Sequence, residues 1–178
     1  MRIRNYRWEY LPTLVQIQQE AARFDETVVR SEEEFVACLD DPELDAASNV
    51  FVMTDDDDEL MLWGQAGTLE GIEGEIVGYT IVQLRQDEQG YHLLCEGAVL
   101  PAHRRQHAGR ALLVGAMNRA RVLADEFEFE AEQEGVPVYF EALLPCNDPA
   151  SSYLAAKYEM YPTEESTPAG MQLYRREL

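Results

Sequence analysis

Residues 99–121 read VLPAHRRQHAGRALLVGAMNRAR, and this stretch decides how the rest of the chain is interpreted. It contains five arginines and no acidic residue, although the whole chain has a formal net charge of -20 at pH 7. An apolar segment leads into Pro101, a short polar loop follows, and an apolar helical pattern begins near Gly109. The first N–H groups of a helix lack partners within the helix, and its dipole places about half a positive charge there. This order of elements therefore predicts an anion-binding loop.

The loop also carries a family resemblance. Residues 106–111, QHAGRA, resemble the Q/R-x-x-G-x-G/A signature of the GCN5-related N-acetyltransferase (GNAT) superfamily. Residues 99–101, VLP, are similar to the V-x-P that ends the family's fourth strand, and Leu112 and Leu113 to the start of its next helix. The alternative is a solvated basic turn at a helix start. The order of elements is similar over essentially the whole chain, whereas the specific motif covers residues 99–113.

The resemblance implies acetyl-coenzyme A as co-substrate, with its pyrophosphate held by main-chain amides of the loop. The implied binding residues are Val99, Arg104, Arg105, Gln106, His107, Ala108, Gly109, Arg110, Ala111 and Asn147. Arg104 and Arg105 are expected at phosphates, because guanidinium groups form charge-assisted hydrogen bonds with phosphate oxygens. His107 replaces a glycine that is common in the family. Asn147 occupies the place of the family's contact to the pantetheine arm.

Length and composition bound the class of protein. A chain of 178 residues with 46% hydrophobic residues is expected to fold as one domain, residues 1–178. Its uncharged apolar runs are far shorter than the ~18 residues of a membrane span, and residues 1–6 do not resemble a signal peptide. The three cysteines have no close spacing. We therefore expect a cytoplasmic protein with reduced thiols and no zinc site.

The charge balance argues against some partners. With 34 acidic and 14 basic residues, binding of nucleic acid is not expected. The acidity could attract a cationic amine or could only confer solubility. The acidic run 55–59 does not predict a calcium loop, because Leu60 stands where such a loop requires glycine. His103 and His107 are four residues apart but belong to the phosphate loop, so no metal is expected.

The pattern along the chain and the family resemblance together predict an α/β (or α+β) fold. The resemblance implies that it is of the GNAT type, with a mixed, largely antiparallel sheet of about six or seven strands and about four helices. Helices are expected from Leu11, from Ser31 with a capping box to Glu34, and from Gly109. Residues 126–132 alternate like a strand, so the regular part of the third helix is expected to end past Asp125. Strands are expected at 75–85, 91–100 and 138–144, followed by a helix at 150–157 and two final strands.

Acetyl transfer to an amine requires a neutral nucleophile, and neutralising an amine of pKa about 10.4 at pH 7 costs roughly 4.6 kcal/mol. Glu96 or Glu141 could accept that proton, and the strand register that decides between them is not visible in the sequence. In the family a main-chain N–H at the position of Val99 stabilises the oxyanion. A tyrosine after the fifth strand often protonates the leaving thiolate, and Tyr153 occupies that place. Tyr153 follows Asn147 at an unusual spacing, and the alternative is a tyrosine packed in the core.

The predicted function is acetyl-coenzyme-A-dependent transfer of an acetyl group, by direct attack, to a primary amine. Small amines, amino acids, polyamines, antibiotics and protein N-termini all stay open as acceptors. Two alternatives also stay open. One is a regulatory module that binds acyl-coenzyme A without transfer, and the other is a half-unit that acts only as a homodimer or beside a second such domain.

Overall fold

The computed structural model describes residues 1–55 and 74–178. The connection 56–73, which includes most of the acidic run, lies outside the described residues. Seven strands form one sheet in the order β1-β2-β3-β4-β5-β7-β6. The strands are β1 (Arg2–Asn5), β2 (Val50–Asp55), β3 (Glu75–Asp87), β4 (Gly90–Val99), β5 (Val138–Pro145), β6 (Tyr161–Pro162) and β7 (Met171–Glu177). Only β4 and β5 pair in parallel among the described strands.

Five α-helices accompany the sheet in the described part of the chain. They are α1 (Leu11–Asp25), α2 (Glu32–Leu39), α3 (Ala46–Asn49), α4 (Ala108–Glu134) and α5 (Pro149–Lys157). The predicted mixed, largely antiparallel sheet with flanking helices is confirmed. The four-residue α3 was not predicted, because it is too short to show a helical repeat. No described helix is long and apolar enough to cross a membrane.

The sheet has a hydrophobic cluster on each face, which fixes the direction of its side chains. On one face, Ile17 of α1 and Phe35 of α2 pack with Ile81 of β3. On the other, Ala116 of α4 packs with Phe140 of β5. Since side chains alternate along a strand, every second residue of β4 points to the α1–α2 face and the others to the α4–α5 face.

β4 and β5 diverge before either strand ends. Their pairing runs from Tyr91↔Val138 to Cys95↔Ala142 and stops there. Beyond Cys95, β4 stays paired with β3 through Val99↔Gly78. Beyond Ala142, β5 continues with β7 on its other side. We refer to the space between residues 96–99 of β4 and 143–145 of β5 as the gap, and it opens toward the arginine-rich loop.

α4 is longer than the sequence pattern indicates. The alternating segment 126–132 is helical, so its likeness to a strand was misleading, and the helix continues to Glu134. The expected irregularity past Asp125 is confirmed as a non-helical residue, Phe127, with φ -128° and ψ 15°. The Phe127 ring stacks on Tyr91, with the ring centroids 4.8 Å apart. Ala131 is buried in the last turns of the helix, and the Tyr91 hydroxyl of β4 donates to the Glu134 carboxylate at 3.3 Å.

Helix starts follow the sequence closely. Ser31 caps α2 by accepting from the Glu34 N–H, and the Glu34 carboxylate accepts from the Ser31 N–H, which confirms the capping box. Asp148 caps α5 by accepting from the Ala150 N–H at 3.0 Å. These local hydrogen bonds satisfy N–H groups that the helix itself leaves free.

Candidate functional site

The loop before α4 has the backbone of an anion cradle. Its first intrahelical bond is donated by the Ala111 N–H to the His107 oxygen at 3.0 Å. The N–H groups of residues 108–110 precede that bond and have no acceptor within the helix. Arg105 and His107 both have left-handed backbones, with φ 64° and 70°. The left-handed His107 directly precedes the right-handed first turn of α4, and this change of hand turns successive N–H groups toward one concave side, where an anion is stabilised.

The left-handed backbone at His107 explains why glycine suits this position. A left-handed conformation costs a residue with a Cβ atom about 1–2 kcal/mol, whereas glycine adopts it freely. Glycine also loses more chain entropy on folding, by about 0.5–1 kcal/mol. We therefore expect His107→Gly to change the free energy of unfolding by less than about 1 kcal/mol, and His107→Val to lower it by about 1–2 kcal/mol. Urea denaturation of the three proteins measures this, and equal stability of the Val and Gly variants would contradict it.

Val99 ends β4 with its amide directed into the gap. The Leu100 N–H donates to the Val77 oxygen at 2.9 Å, which makes residues 100 and 77 a hydrogen-bonded pair. Such pairs alternate along an antiparallel ladder, so Gly97 and Val99 direct their N–H and C=O groups away from β3. These groups face the side of β4 from which β5 has separated. A main-chain donor therefore lies beside the cradle, and its role in stabilising the oxyanion stays a prediction.

The guanidinium of Arg104 is bound by other residues of the protein. Its two terminal nitrogens donate to the two carboxylate oxygens of Asp25, at 2.6 and 2.7 Å. Its Nε donates to the Val99 oxygen at 3.2 Å, and its guanidinium lies 5.2 Å from the centre of the Phe24 ring. The ion pair with Asp25 raises the pKa of Arg104 above its ordinary value. The predicted phosphate contact of Arg104 stays a prediction, and the geometry adds a bond from the loop to the end of α1.

Asn147 also contacts the end of α1. Its side-chain amide donates to the Asp25 main-chain oxygen at 3.0 Å. The neighbouring Asp148 accepts from Arg105 at 2.9 Å. Asp25 is thus bonded to the segment that follows β4 and to the segment that follows β5. Asp25 belongs to no motif in the sequence, because its partners are 79 and 122 residues away.

Glu96 is the first residue of β4 beyond its pairing with β5, and it points to the α1–α2 face, as Ala98 does. Its two carboxylate oxygens accept from Arg30, which lies between α1 and α2, at 2.8 and 2.7 Å. Only 12% of the Glu96 side chain is exposed. This pairing raises the pKa of Arg30. Glu96 therefore lies at the inner end of the gap as a carboxylate already engaged by a guanidinium.

Glu141 lies in the paired part of β5, opposite Leu94, and not at the gap. Its Oε1 atom is 2.9 Å from His92 Nδ1 and accepts from Arg175 Nε at 2.6 Å. The Arg175 guanidinium lies over the Tyr139 ring, 4.8 Å from its centre. The side chain of Glu141 is buried within this ion-pair network. Of the two carboxylates that the sequence offered as bases, the geometry favours Glu96.

Tyr153 lies on α5 and is 72% exposed, so the alternative in which it packs in the core is wrong. Its predicted role as an acid stays a prediction. Among the loop residues, Ala108 is buried and Gln106 is exposed. Arg110 donates from Nε to the Tyr158 hydroxyl at 3.1 Å, which links the first turn of α4 to the end of α5.

Two thiols lie near the gap. Cys95 is the last residue of β4 that pairs with β5. Its burial raises the pKa of the thiol to about 12, so it stays protonated and is a poor nucleophile. Cys146 is exposed in the turn between β5 and α5. In residues 1–55 and 74–178, no group of three or more His, Cys, Asp or Glu side chains is arranged to hold a metal ion.

The family model of the acetyltransferase (GNAT) family matches residues 2–153. No curated protein sequence matches the chain significantly. Among solved structures, a ribosomal-protein-alanine N-acetyltransferase from Brucella melitensis is 18% identical with a TM-score of 0.63, and the match covers 100% of both chains. At this identity the likeness shows the fold.

Two further neighbours were solved with acetyl-coenzyme A. A phosphinothricin acetyltransferase from Sinorhizobium meliloti is 16% identical with a TM-score of 0.64, over 99% of this chain and 88% of that one. A putative acetyltransferase from Salmonella typhimurium is 15% identical with a TM-score of 0.63, over 99% and 93%. A GCN5-related N-acetyltransferase from Sphaerobacter thermophilus is 15% identical with a TM-score of 0.61, and the chain spans only 43% of its length.

Proposed function

Because the chain belongs to the acetyltransferase (GNAT) family, we propose that it transfers an acetyl group from acetyl-coenzyme A to a primary amine by direct attack on the thioester. The observation that carries this proposal is the anion cradle at the end of β4, beside the point where β4 and β5 diverge. The fold neighbours with bound acetyl-coenzyme A support it. The experiment is thiol release from acetyl-coenzyme A with a panel of amines, and no release with any amine would argue against it.

In this proposal the cradle residues 104–111 bind the pyrophosphate, and the pantetheine arm enters the gap with Asn147 beside it. The main-chain N–H of Val99 donates to the thioester oxygen. As the amine attacks, negative charge accumulates on that oxygen, and the hydrogen bond becomes stronger. The bond from Arg104 to the Val99 oxygen holds the following peptide in place. A fixed donor acts without the reorganisation that water would require.

Glu96 is the proposed proton acceptor for the amine, directly or through water. Its two hydrogen bonds from Arg30 use one lone pair on each carboxylate oxygen, so a second lone pair on each oxygen is left to accept a proton. Protonation of Glu96 would weaken its ion pair with Arg30. The closing step expels the thiolate of coenzyme A, which takes a proton from the Tyr153 hydroxyl.

Tyr153→Phe tests the proposed acid. Removing the hydroxyl should lower kcat about 100-fold or more, because general acid catalysis contributes about 100- to 10,000-fold, and should leave the KM for acetyl-coenzyme A nearly unchanged. Tyr161→Phe is the matched control, since Tyr161 is equally exposed but lies on β6 at the sheet edge. Steady-state kinetics over pH measures both. An unchanged rate and pH profile for Tyr153→Phe would show that another group protonates the thiolate.

Direct transfer is supported by the chemistry of Cys95, which burial keeps protonated. Cys146 is exposed and offers the other thiol near the gap. A direct mechanism predicts intersecting initial-velocity patterns and full activity of Cys146→Ser. Parallel patterns with an inactive Cys146→Ser variant would instead support an acetylated cysteine.

Two other proposals stay open. A module that only binds acyl-coenzyme A would show binding without thiol release. A half-unit is supported by the Sphaerobacter thermophilus structure, of which the chain spans 43%. It would be active only as a homodimer or beside a second domain. The homodimer would be supported if, on dilution, the activity falls over the same concentrations at which the measured mass falls from dimer to monomer.

A further inference from the structure

The ion pair between Arg30 and Glu96 has a position that suggests a function beyond stability. Glu96 is the first residue of β4 beyond its pairing with β5, and Arg30 reaches it from the connection between α1 and α2. The side chains are 35% and 12% exposed, so the pair is partly buried yet reachable from solvent. Val28 and Val29 on the same connection are exposed, which gives the approach to the pair an apolar border.

Any ligand that binds to Glu96 also disturbs the two hydrogen bonds between Glu96 and Arg30. A simple amine that displaced Arg30 from Glu96 would leave a partly buried guanidinium without a counter-ion. A simple carboxylate that took Arg30 would leave Glu96 in the same condition. Stranding one member of a buried pair is strongly unfavourable. A ligand with an ammonium group and a carboxylate next to each other avoids both losses, because it replaces each partner with an equivalent one.

Resting on the proposed function, we propose that the acceptor is a free α-amino acid, bound by exchange with the Arg30–Glu96 pair. Its carboxylate binds the guanidinium of Arg30 in the two-pronged geometry that Glu96 now uses. Its ammonium group binds Glu96, gives a proton to that carboxylate and attacks the thioester as a neutral amine. The C–N bond forms as an electron pair of the carbonyl group moves to its oxygen. Its return breaks the C–S bond, whose electron pair leaves with the thiolate. The second proton of the nitrogen passes through the Tyr153 hydroxyl to that thiolate, which gives the neutral amide and the thiol of coenzyme A.

The net charge of -20 would attract a cationic amine more strongly than a zwitterion, so the choice of a free amino acid rests on the Arg30–Glu96 pair and not on the overall charge. A peptide N-terminus offers the amine without an adjacent carboxylate, so it would strand Arg30 as a simple amine does. The Arg30–Glu96 pair is therefore expected to favour a free amino acid over a protein N-terminus as the acceptor.

The test compares acceptors that differ only in the carboxylate. Each of the twenty amino acids is assayed with acetyl-coenzyme A, and the best is compared with its amide and its decarboxylated amine; for leucine these are leucinamide and isopentylamine. We expect the amino acid to have a kcat/KM at least about tenfold higher than either analogue, because a site built for a charged group rejects ligands that lack it. In Arg30→Gln this preference should fall to about one through a higher KM for the amino acid. The KM for acetyl-coenzyme A should stay constant.

Arg85→Gln is the matched control, since Arg85 is an exposed arginine of β3 that contacts Gln83. Arg30→Lys keeps the charge but loses the two-pronged bond, and should keep part of the preference. Faster acetylation of the amide, the amine or a peptide N-terminus would overturn the inference and leave the proposed function standing. Binding of acetyl-coenzyme A with no acetylation of any amino acid would overturn it too. Failure to bind acetyl-coenzyme A would remove both proposals.

Discussion

Gly109→Glu is expected to weaken binding of acetyl-coenzyme A at least about 100-fold, which corresponds to about 2.7 kcal/mol. Gly109 is the second residue of α4 and its N–H belongs to the proposed cradle. A carboxylate there places a negative charge against a pyrophosphate and cancels part of the positive potential of the helix N-terminus. The protein should still fold, because a Cβ at Gly109 meets only the Cγ2 atom of Val99, at 3.9 Å. Calorimetric titration measures the loss.

Two control variants separate the effect of the added charge at residue 109 from the effects of added bulk and of a charge elsewhere on the helix. Gly109→Gln adds the same bulk without the charge and should weaken binding less than Gly109→Glu. Val122→Glu adds a negative charge to an exposed position of the same helix, far from its N-terminus, and should leave binding unchanged. Equal affinity of Gly109→Glu and the wild-type protein would show that the loop does not hold the co-substrate.

The features that the sequence predicted are local in the chain. The capping box of α2 links residues three apart, and the cradle follows from a helix start after an apolar strand. The sheet followed from alternating apolar segments with turns between them. Each of these depends on neighbouring residues, so the pattern and the structure express the same short-range physics.

The features that the sequence did not predict depend on distant partners. Glu96 and Glu141 could not be separated, because a strand register decides which carboxylate reaches the gap and which is buried beside His92. Arg104 is predicted to contact a phosphate because its guanidinium lies in the loop, and nothing near it in the sequence indicates its hydrogen-bond partner Asp25, 79 residues earlier on α1. Similarly, nothing near Arg30 indicates its partner 66 residues later. Long-range ion pairs leave no periodic signal in a single sequence.

Asp25→Asn is expected to lower the free energy of unfolding by about 3 kcal/mol, because it removes the carboxylate that directly contacts the guanidinium of Arg104 and leaves the more distant Asp148, at 3.9 Å. The two side chains are only 8% and 16% exposed, so water cannot replace the lost carboxylate well. Asparagine keeps the main-chain oxygen that accepts from Asn147, so the change isolates the ion pair. Glu159→Gln is the control, since its pair with Arg176 is long, at 4.0 Å, and exposed. That variant should lose less than about 1 kcal/mol.

The Asp25 variant should also change catalysis at a temperature where it is folded. Arg104 joins Asp25 to the oxygen of Val99, and Asn147 joins it to the segment after β5, so Asp25 positions both walls of the gap. With that link weakened, we expect kcat to fall about tenfold or more, since small displacements of reacting groups are costly, while the pH profile keeps its shape. In a double-mutant cycle, Arg104→Gln should add little to Asp25→Asn, because both remove the same interaction. Additive losses would show that the two residues act separately, and a stability loss with unchanged kcat would limit Asp25 to a structural role.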